Sequence, residues 1–147
     1  MEKVSFITTN AEETQKVGEI LASELQGGEI LSLIGDLGGG KTTFTQGVAR
    51  GLGIKDRVIS PTFIIFKKFA LKSKKHKWLY HFDLYRLSDL QELVDLDFED
   101  IISSPENITV LEWAQKAKEI IPPSKNIRVE FKYLGKGKRQ ITVSSSK

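Results

Sequence analysis

The chain contains no cysteine among its 147 residues. This absence excludes disulfide frameworks, thiol nucleophiles and cysteine-based zinc sites, and it is compatible with the cytoplasm. No apolar run approaches the ~20 residues that cross a bilayer, and the N-terminal segment lacks the charged and apolar regions of a signal peptide. We therefore expect a cytoplasmic protein that does not act at a membrane.

Neither sign of charge dominates the chain. It carries 22 Lys and Arg residues against 19 Asp and Glu residues, which gives a net charge of +3 and a pI near 9.0. This balance permits contact with nucleic acid but does not argue strongly for it. The length and the 39% of hydrophobic residues suit one folded domain, which we predict to span residues 1–147.

One segment matches a phosphate-binding pattern. Residues 35–42 fit G-x-x-x-x-G-K-[ST], in which glycines let backbone N–H groups surround a polyphosphate. The pattern requires a strand before it and a helix after it, and residues 29–34 and 42–52 read as such elements. Lys41 is expected to reach the β- and γ-phosphates, and the Thr42 hydroxyl is expected to hold Mg²⁺. The segment predicts binding of a nucleoside triphosphate.

Two apolar strands end in an acid. One ends at Asp83 and the other at Glu112. A P-loop protein that hydrolyses its nucleotide needs a carboxylate on the metal side and a group that positions water. The spacing does not say which acid is closer to the metal. Each acid could instead cap the helix that follows it.

Strands and helices alternate along the chain. Asn10 with Glu13 forms an N-cap pair that resembles a capping box and begins a helix, which Gly27-Gly28 is expected to end. Strands are predicted at 4–8, 29–34, 63–69, 78–82, 107–111, 127–133 and 140–144, and further helices at 42–52, 89–96, 98–102 and 113–121. This order predicts an α/β, three-layer P-loop NTPase-like domain with a mostly parallel central sheet and a C-terminal antiparallel hairpin.

Missing motifs narrow the function. No Asn-Lys-x-Asp occurs, which disfavours a Ras-type GTPase, and the chain is too short for a RecA-like or transporter ATPase core. An arginine-rich lid, usual in small-molecule kinases, is absent, and no arginine stands in a recognisable arginine-finger setting. Beside an ATPase, two alternatives remain open: a nucleotide-gated binding module with incidental hydrolysis, and a small-molecule P-loop kinase.

Lysines surround a predicted hairpin tip between residues 67 and 77. A solvated sheet edge is the favoured interpretation, and a surface for tRNA or an acidic partner is the alternative. Within this run His76 is expected at the surface. His81, in an apolar strand, is predicted to be a hydrogen-bonded structural residue, and Trp113 is equally consistent with a core or a mobile position.

Four blocks in order resemble one family. They are residues 35–44, Ser60-Pro61-Thr62-Phe63, residues 81–87 with the sequence His-Phe-Asp-Leu-Tyr-Arg-Leu, and Glu112-Trp113. The chain resembles the TsaE family, the small bacterial ATPases of tRNA threonylcarbamoyladenosine synthesis, over nearly its whole length. The 81–87 block is specific because a generic P-loop protein has no need of it. Gly39 stands where the family commonly has alanine.

The resemblance implies a role for each matching residue. Glu112 falls at the Walker-B-like acid that contacts the metal, and Asp83 falls at a second acid that could orient water near the γ-phosphate. Thr42 and Glu112 are thus the implied metal-binding residues, and Lys41, Asp83 and Glu112 the implied catalytic residues. Thr62 lies in a switch-like loop, and Ala11 and Lys138 fall near the base or ribose. The implied ATP-binding residues are Ala11, Gly38, Gly39, Gly40, Lys41, Thr42, Thr43, Thr62 and Lys138.

The resemblance also implies a working context. The expected cofactors are ATP and Mg²⁺, and the expected activity is a weak ATPase that partners stimulate. The implied partners are tRNA-modification subunits resembling TsaD and TsaB. Direct contact with tRNA, the partner surface and the oligomeric state stay open at this point.

Overall fold

A computed structural model describes residues 2–35, 40–56, 58–59, 65–73 and 75–145. Its strands are β1 Glu2–Thr8, β2 Ile30–Gly35, β3 Phe66–Ala70, β4 Trp78–Asp83, β5 Asn107–Glu112, β6 Asn126–Gly135 and β7 Lys138–Ser145. Its α-helices are α1 Ala11–Ala22, α2 Lys41–Gly51, α3 Gln91–Val94 and α4 Phe98–Ser103, and 3₁₀ helices span Ala114–Ile120 and Pro123–Lys125. Each strand and helix predicted from the sequence has a counterpart here.

All seven strands form one sheet in the order β1-β7-β6-β2-β5-β4-β3. Pairing is parallel from β6 through β2 and β5 to β4, and antiparallel at both flanks. The predicted α/β class and the antiparallel β6–β7 hairpin are confirmed, with the sheet mixed and its parallel part central. Because β2, β5 and β4 run in the same direction, their carboxyl ends meet at one edge of the sheet.

Helices cover both faces of the sheet. α1 and α2 pack on one face over a core that includes Leu31, Leu33 and Phe44. On the other face α3, α4 and the 3₁₀ helix at Ala114–Ile120 cover Phe82 and Leu111. These apolar contacts build the three predicted layers.

Glycines let α1 and α2 cross with their backbones in contact. A β-carbon on Gly18 would lie 2.4 Å from the Phe44 carbonyl oxygen, and one on Gly47 would lie 2.0 Å from the Gln15 carbonyl oxygen. Both distances are below van der Waals contact, so no larger residue fits either position without separating the helices. Arg50 adds a 2.5 Å ion pair with Glu19 across the crossing.

The predicted end of the first helix is wrong. α1 ends at Ala22, before Gly27-Gly28, because the chain turns there with hydrogen bonds from residues 24 and 25 back to residues 21 and 22. The glycines instead serve the following loop, where both have positive φ.

The helix predicted at 113–121 is present over a slightly shorter range. Residues 114–120 form a 3₁₀ helix, with non-helical backbone at Ala117. Trp113 precedes it in the left-handed region at φ 61°. A residue in that conformation cannot continue an α-helix, so the helix begins only after it.

The two histidines are both buried. His76 is 6% exposed, so its predicted surface position is wrong, while His81 is fully buried and hydrogen-bonded, as expected. Within the described part of the chain, no helix has the length and apolar character needed to cross a membrane.

Candidate functional site

The predicted phosphate loop joins the end of β2 to the start of α2. Gly35 ends the strand, and Gly40 precedes the helix with φ 101°, a left-handed conformation that favours glycine. The strand–loop–helix context that the pattern requires is therefore present. Gly38 and Gly39, together with Thr62 of the switch-like loop, lie outside the described residues.

Lys41 lies at the first turn of α2 with its side chain 5% exposed. Its Nζ donates a hydrogen bond of 2.9 Å to the Gly35 carbonyl oxygen and lies 4.3 Å from the centroid of the Trp113 ring. The ammonium group is thus held at the carboxyl end of β2. Trp113 therefore belongs to this site, although the sequence left open whether it lies in the core or in a mobile segment. Its ring centroid also lies 5.0 Å from that of Tyr85, with the two rings tilted at 47°.

Thr42 and Glu112 contact each other directly. The Thr42 hydroxyl donates to the Glu112 carboxylate at 2.9 Å, with the second oxygen at 3.2 Å. A hydroxyl and a carboxylate oxygen at the start of a P-loop helix are the hard donors that Mg²⁺ takes beside nucleotide phosphates. The described residues hold no cluster of three or more His, Cys, Asp or Glu that could bind a metal alone. The pair fits Mg²⁺ bound together with a nucleotide.

Asp83 stands beside Glu112 at the same sheet edge. The two residues are register partners on parallel strands, and both are buried, at 8% and 3% exposure. One Asp83 oxygen accepts a 3.0 Å hydrogen bond from the Tyr85 backbone N–H, which also suits a purely structural turn. The contact with Thr42 favours Glu112 as the metal-side acid, and the water-orienting role of Asp83 stays a prediction.

A second part of the site forms where the β6–β7 turn meets the start of α1. A β-carbon on Gly137 would lie 3.4 Å from the Thr9 carbonyl oxygen. Lys138 directly follows Gly137, and Ala11 lies two residues after Thr9. Both Ala11 and Lys138 are exposed. The structure thus brings the two predicted base or ribose positions to one corner. Thr43, half-buried in the first turn of α2, has no contact that tests its assignment.

The corner is held by a capping arrangement at the start of α1. Asn10 accepts from the Glu13 backbone N–H at 2.8 Å, which confirms the predicted cap. The Glu13 carboxylate accepts from the hydroxyl and the backbone N–H of Thr9, one residue earlier than in a standard capping box. The hydrogen bond from the Thr9 hydroxyl lowers the pKa of Glu13 most, and the one from the Thr9 backbone N–H lowers it further.

Arg139 is the site residue that the sequence analysis missed. A β-carbon on Gly40 would lie 2.9 Å from its Cδ atom, so the arginine packs directly against the end of the phosphate loop. Its guanidinium carbon lies 5.8 Å from the Tyr133 ring. Alternation along β7 was the available signal, since Arg139 shares a strand face with the buried Ile141 and therefore points toward the helices.

Comparison with known proteins agrees with this geometry. A family model described as threonylcarbamoyl adenosine biosynthesis protein TsaE matches residues 8–141. A protein named tRNA threonylcarbamoyladenosine biosynthesis protein TsaE from Bacillus subtilis is 37% identical over 99% of this chain and 87% of its own length. The protein of the same name from Treponema pallidum is 30% identical over 94% of this chain and 98% of its own length.

A solved structure gives the same result. The crystal structure of YdiB from Bacillus subtilis superposes with a TM-score of 0.76 at 32% identity, covering 98% of this chain and 86% of that one. The family match spans most of the chain, from the last residue of β1 into β7. The chain therefore belongs to the TsaE family.

Proposed function

We propose that this protein binds ATP with Mg²⁺ in the cytoplasm and hydrolyses it in support of the threonylcarbamoyladenosine modification of tRNA. The observation that carries the proposal is the 2.9 Å contact between the Thr42 hydroxyl and the Glu112 carboxylate. It joins the P-loop helix to an acid at the end of the neighbouring parallel strand, as an Mg–nucleotide site requires. The names of the relatives supply the tRNA-modification context.

Each residue has a distinct part in the proposed chemistry. Lys41 would leave the Gly35 carbonyl to hold the phosphates, while Thr42 and Glu112 would hold the metal. When bound there, Mg²⁺ would supply neutralisation of the charge on the phosphate oxygens. Asp83, next to Glu112 in the sheet, accepts a hydrogen bond from the attacking water and orients it. The buried position of both acids strengthens these electrostatic effects.

Stimulation by partner subunits resembling TsaD and TsaB is part of the proposal. Tyr85 is 44% exposed, its ring contacts that of Trp113, and Trp113 contacts Lys41. Lys116 also donates to the Tyr85 carbonyl oxygen and ties this loop to the segment after β5. A partner that covers Tyr85 would therefore be connected to Lys41, the proposed phosphate-binding lysine, by the side chain of Trp113 alone.

Two lysines of the lysine-rich edge contact other side chains of the protein. In the lysine-rich edge at β3, Lys68 lies 4.4 Å from the Trp78 ring centroid and Lys77 pairs with Glu106 at 3.6 Å. Both contacts suit the solvated edge that the sequence favoured.

Phosphate release tests the proposal against its alternatives. The purified chain with ATP and Mg²⁺ is expected to release phosphate slowly and to transfer none to candidate small-molecule acceptors. Transfer to an acceptor would identify a kinase. If phosphate release is absent while capture of partners from lysate differs between ADP and a non-hydrolysable ATP analogue, the protein is a gated binding module and the ATPase proposal fails.

A further inference from the structure

His81 lies beneath Glu112 on the same face of the sheet. It is fully buried, and its Nε2 is 2.6 Å from Oε2 of Glu112. The register explains this contact, because His81 pairs with Val110 on the neighbouring parallel strand, two residues before Glu112. Alternation of side chains puts His81, Val110 and Glu112 on one face.

The hydrogen bond defines which ring nitrogen carries a proton. A carboxylate only accepts, so the Nε2–H of His81 is the donor. The other nitrogen, Nδ1, is buried with no hydrogen-bond partner among the described residues. A core position alone is served better by an apolar side chain than by a ring with an unsatisfied nitrogen. The bond to Glu112 is therefore what the imidazole adds at this position.

This bond fixes the orientation of the carboxylate. With Oε2 held by His81, Oε1 is directed at the Thr42 hydroxyl, 2.9 Å away. We propose that His81 is a positioning residue that orients Glu112 toward the metal of a bound Mg–nucleotide. The inference rests on the proposed nucleotide function and extends it to a residue that touches neither metal nor nucleotide.

The test measures how nucleotide affinity depends on Mg²⁺, which is separate from turnover. A non-hydrolysable ATP analogue is titrated calorimetrically into each variant, in EDTA and across Mg²⁺ concentrations. We expect His81→Leu, which keeps an apolar core, to bind as wild type in EDTA but to need about 10-fold more Mg²⁺ for half of the affinity gain, the low end of outer-shell effects on metal affinity.

A conservative variant distinguishes orientation from packing. The His81→Gln amide can donate from nearly the position of Nε2, so it is expected to restore the Mg²⁺ dependence to within about threefold of wild type. The shorter amide of His81→Asn cannot reach Glu112 and should resemble His81→Leu. If His81→Leu does not fold, the comparison of Gln with Asn decides alone.

The matched control is His76→Leu. His76 is the second buried histidine and also has an Nδ1 without a hydrogen-bond partner in the described residues, but it lies in the loop before β4. The His76→Leu variant should leave the Mg²⁺ dependence of nucleotide affinity unchanged. Equal Mg²⁺ dependence in wild type, His81→Leu and His81→Asn would overturn the positioning role while leaving the ATPase proposal intact. If the affinity of the wild-type protein for the ATP analogue does not depend on Mg²⁺, both the positioning role and the ATPase proposal are overturned.

Discussion

The ammonium group of Lys41 lies 4.3 Å from the centroid of the Trp113 ring. Trp113 directly follows Glu112 and adopts φ 61°, so the backbone after β5 turns its ring back toward the start of α2. Lys41 and Glu112, the proposed phosphate-binding and metal-side residues, are thereby linked through Trp113. A ligand that draws Lys41 away changes the surroundings of a fluorescent residue.

Lys41→Ala should weaken ATP binding and abolish hydrolysis. Loss of a charge-assisted phosphate contact costs about 1.5–3 kcal/mol, or ~10- to 150-fold in affinity. Calorimetric titration measures the affinity. In a Trp78→Phe protein that keeps Lys41, Trp113 emission reports the movement of the lysine. Lys55→Ala, at an exposed position, is the control. Unchanged affinity and turnover in Lys41→Ala would refute the phosphate-loop assignment.

Asp83→Asn and Glu112→Gln should lose turnover but still bind nucleotide. Each keeps the shape of the side chain and removes the negative charge, so metal binding or water orientation fails. The asparagine oxygen still accepts from the Tyr85 N–H, which preserves the observed turn. Phosphate release and nucleotide titration provide the measurements. Wild-type turnover in Asp83→Asn would show that Asp83 only stabilises that turn.

Gly40→Ala should reduce nucleotide affinity, and Gly53→Ala should not. Both glycines have positive φ, so alanine costs about 1–2 kcal/mol of stability at either position. At Gly40 the added carbon also meets Arg139, whereas at Gly53 no described atom lies within 4 Å. Thermal unfolding and nucleotide titration of the pair separate backbone strain from loop displacement. Equal nucleotide affinities would contradict the packing of Arg139 against the loop.

Glu13 should make folding stability depend on acid pH. Its pKa is lowered by Thr9, so this contribution is complete above the unfolded value of ~4.3 and is lost as pH falls through the lower folded value. The urea midpoints of wild type and Glu13→Gln are expected to differ at pH 7 and to converge in acid. A difference that stays constant down to pH 2 would show that the charge contributes nothing.

ATP hydrolysis should be faster in the presence of the subunits resembling TsaD and TsaB. Tyr85→Ala, which removes the exposed ring that contacts Trp113, should reduce this stimulation more than the basal rate. Binding of the partner pair should favour the ATP-analogue form over the ADP form. Phosphate release across a titration of the pair tests the first two statements. A self-sufficient ATPase would show the same rate alone and in the mixture.

The sequence predicted those parts of the site that depend on local pattern and strand direction. The phosphate loop is continuous in the chain, and Asp83 and Glu112 end strands whose parallel arrangement brings them together. The apolar pattern therefore predicted that each acid ends a strand, and the parallel pairing of β4 with β5 brings the two acids to one edge.

The contacts that depend on register could not be derived in the same way. Arg139 reaches Gly40 only because of how β7 pairs and how α2 lies over it, and His81 reaches Glu112 through one specific offset between β4 and β5. A shift of one residue in the pairing of either strand would move the Arg139 or His81 side chain to the opposite face of the sheet. The left-handed conformation of Trp113 also has no sequence signal, since bulky residues rarely adopt it.

The glycine contacts between α1 and α2 also limit which residues the helix crossing can accept. With Gly18 and Gly47 touching the opposite backbones, a side chain at either position would push the two helices apart. Since α1 begins beside the β6–β7 turn and α2 begins directly after Gly40, such a separation would change the spacing between Gly40 and the corner formed by Ala11 and Lys138. A small residue in the middle of the crossing therefore sets how far apart the two parts of the candidate site stand.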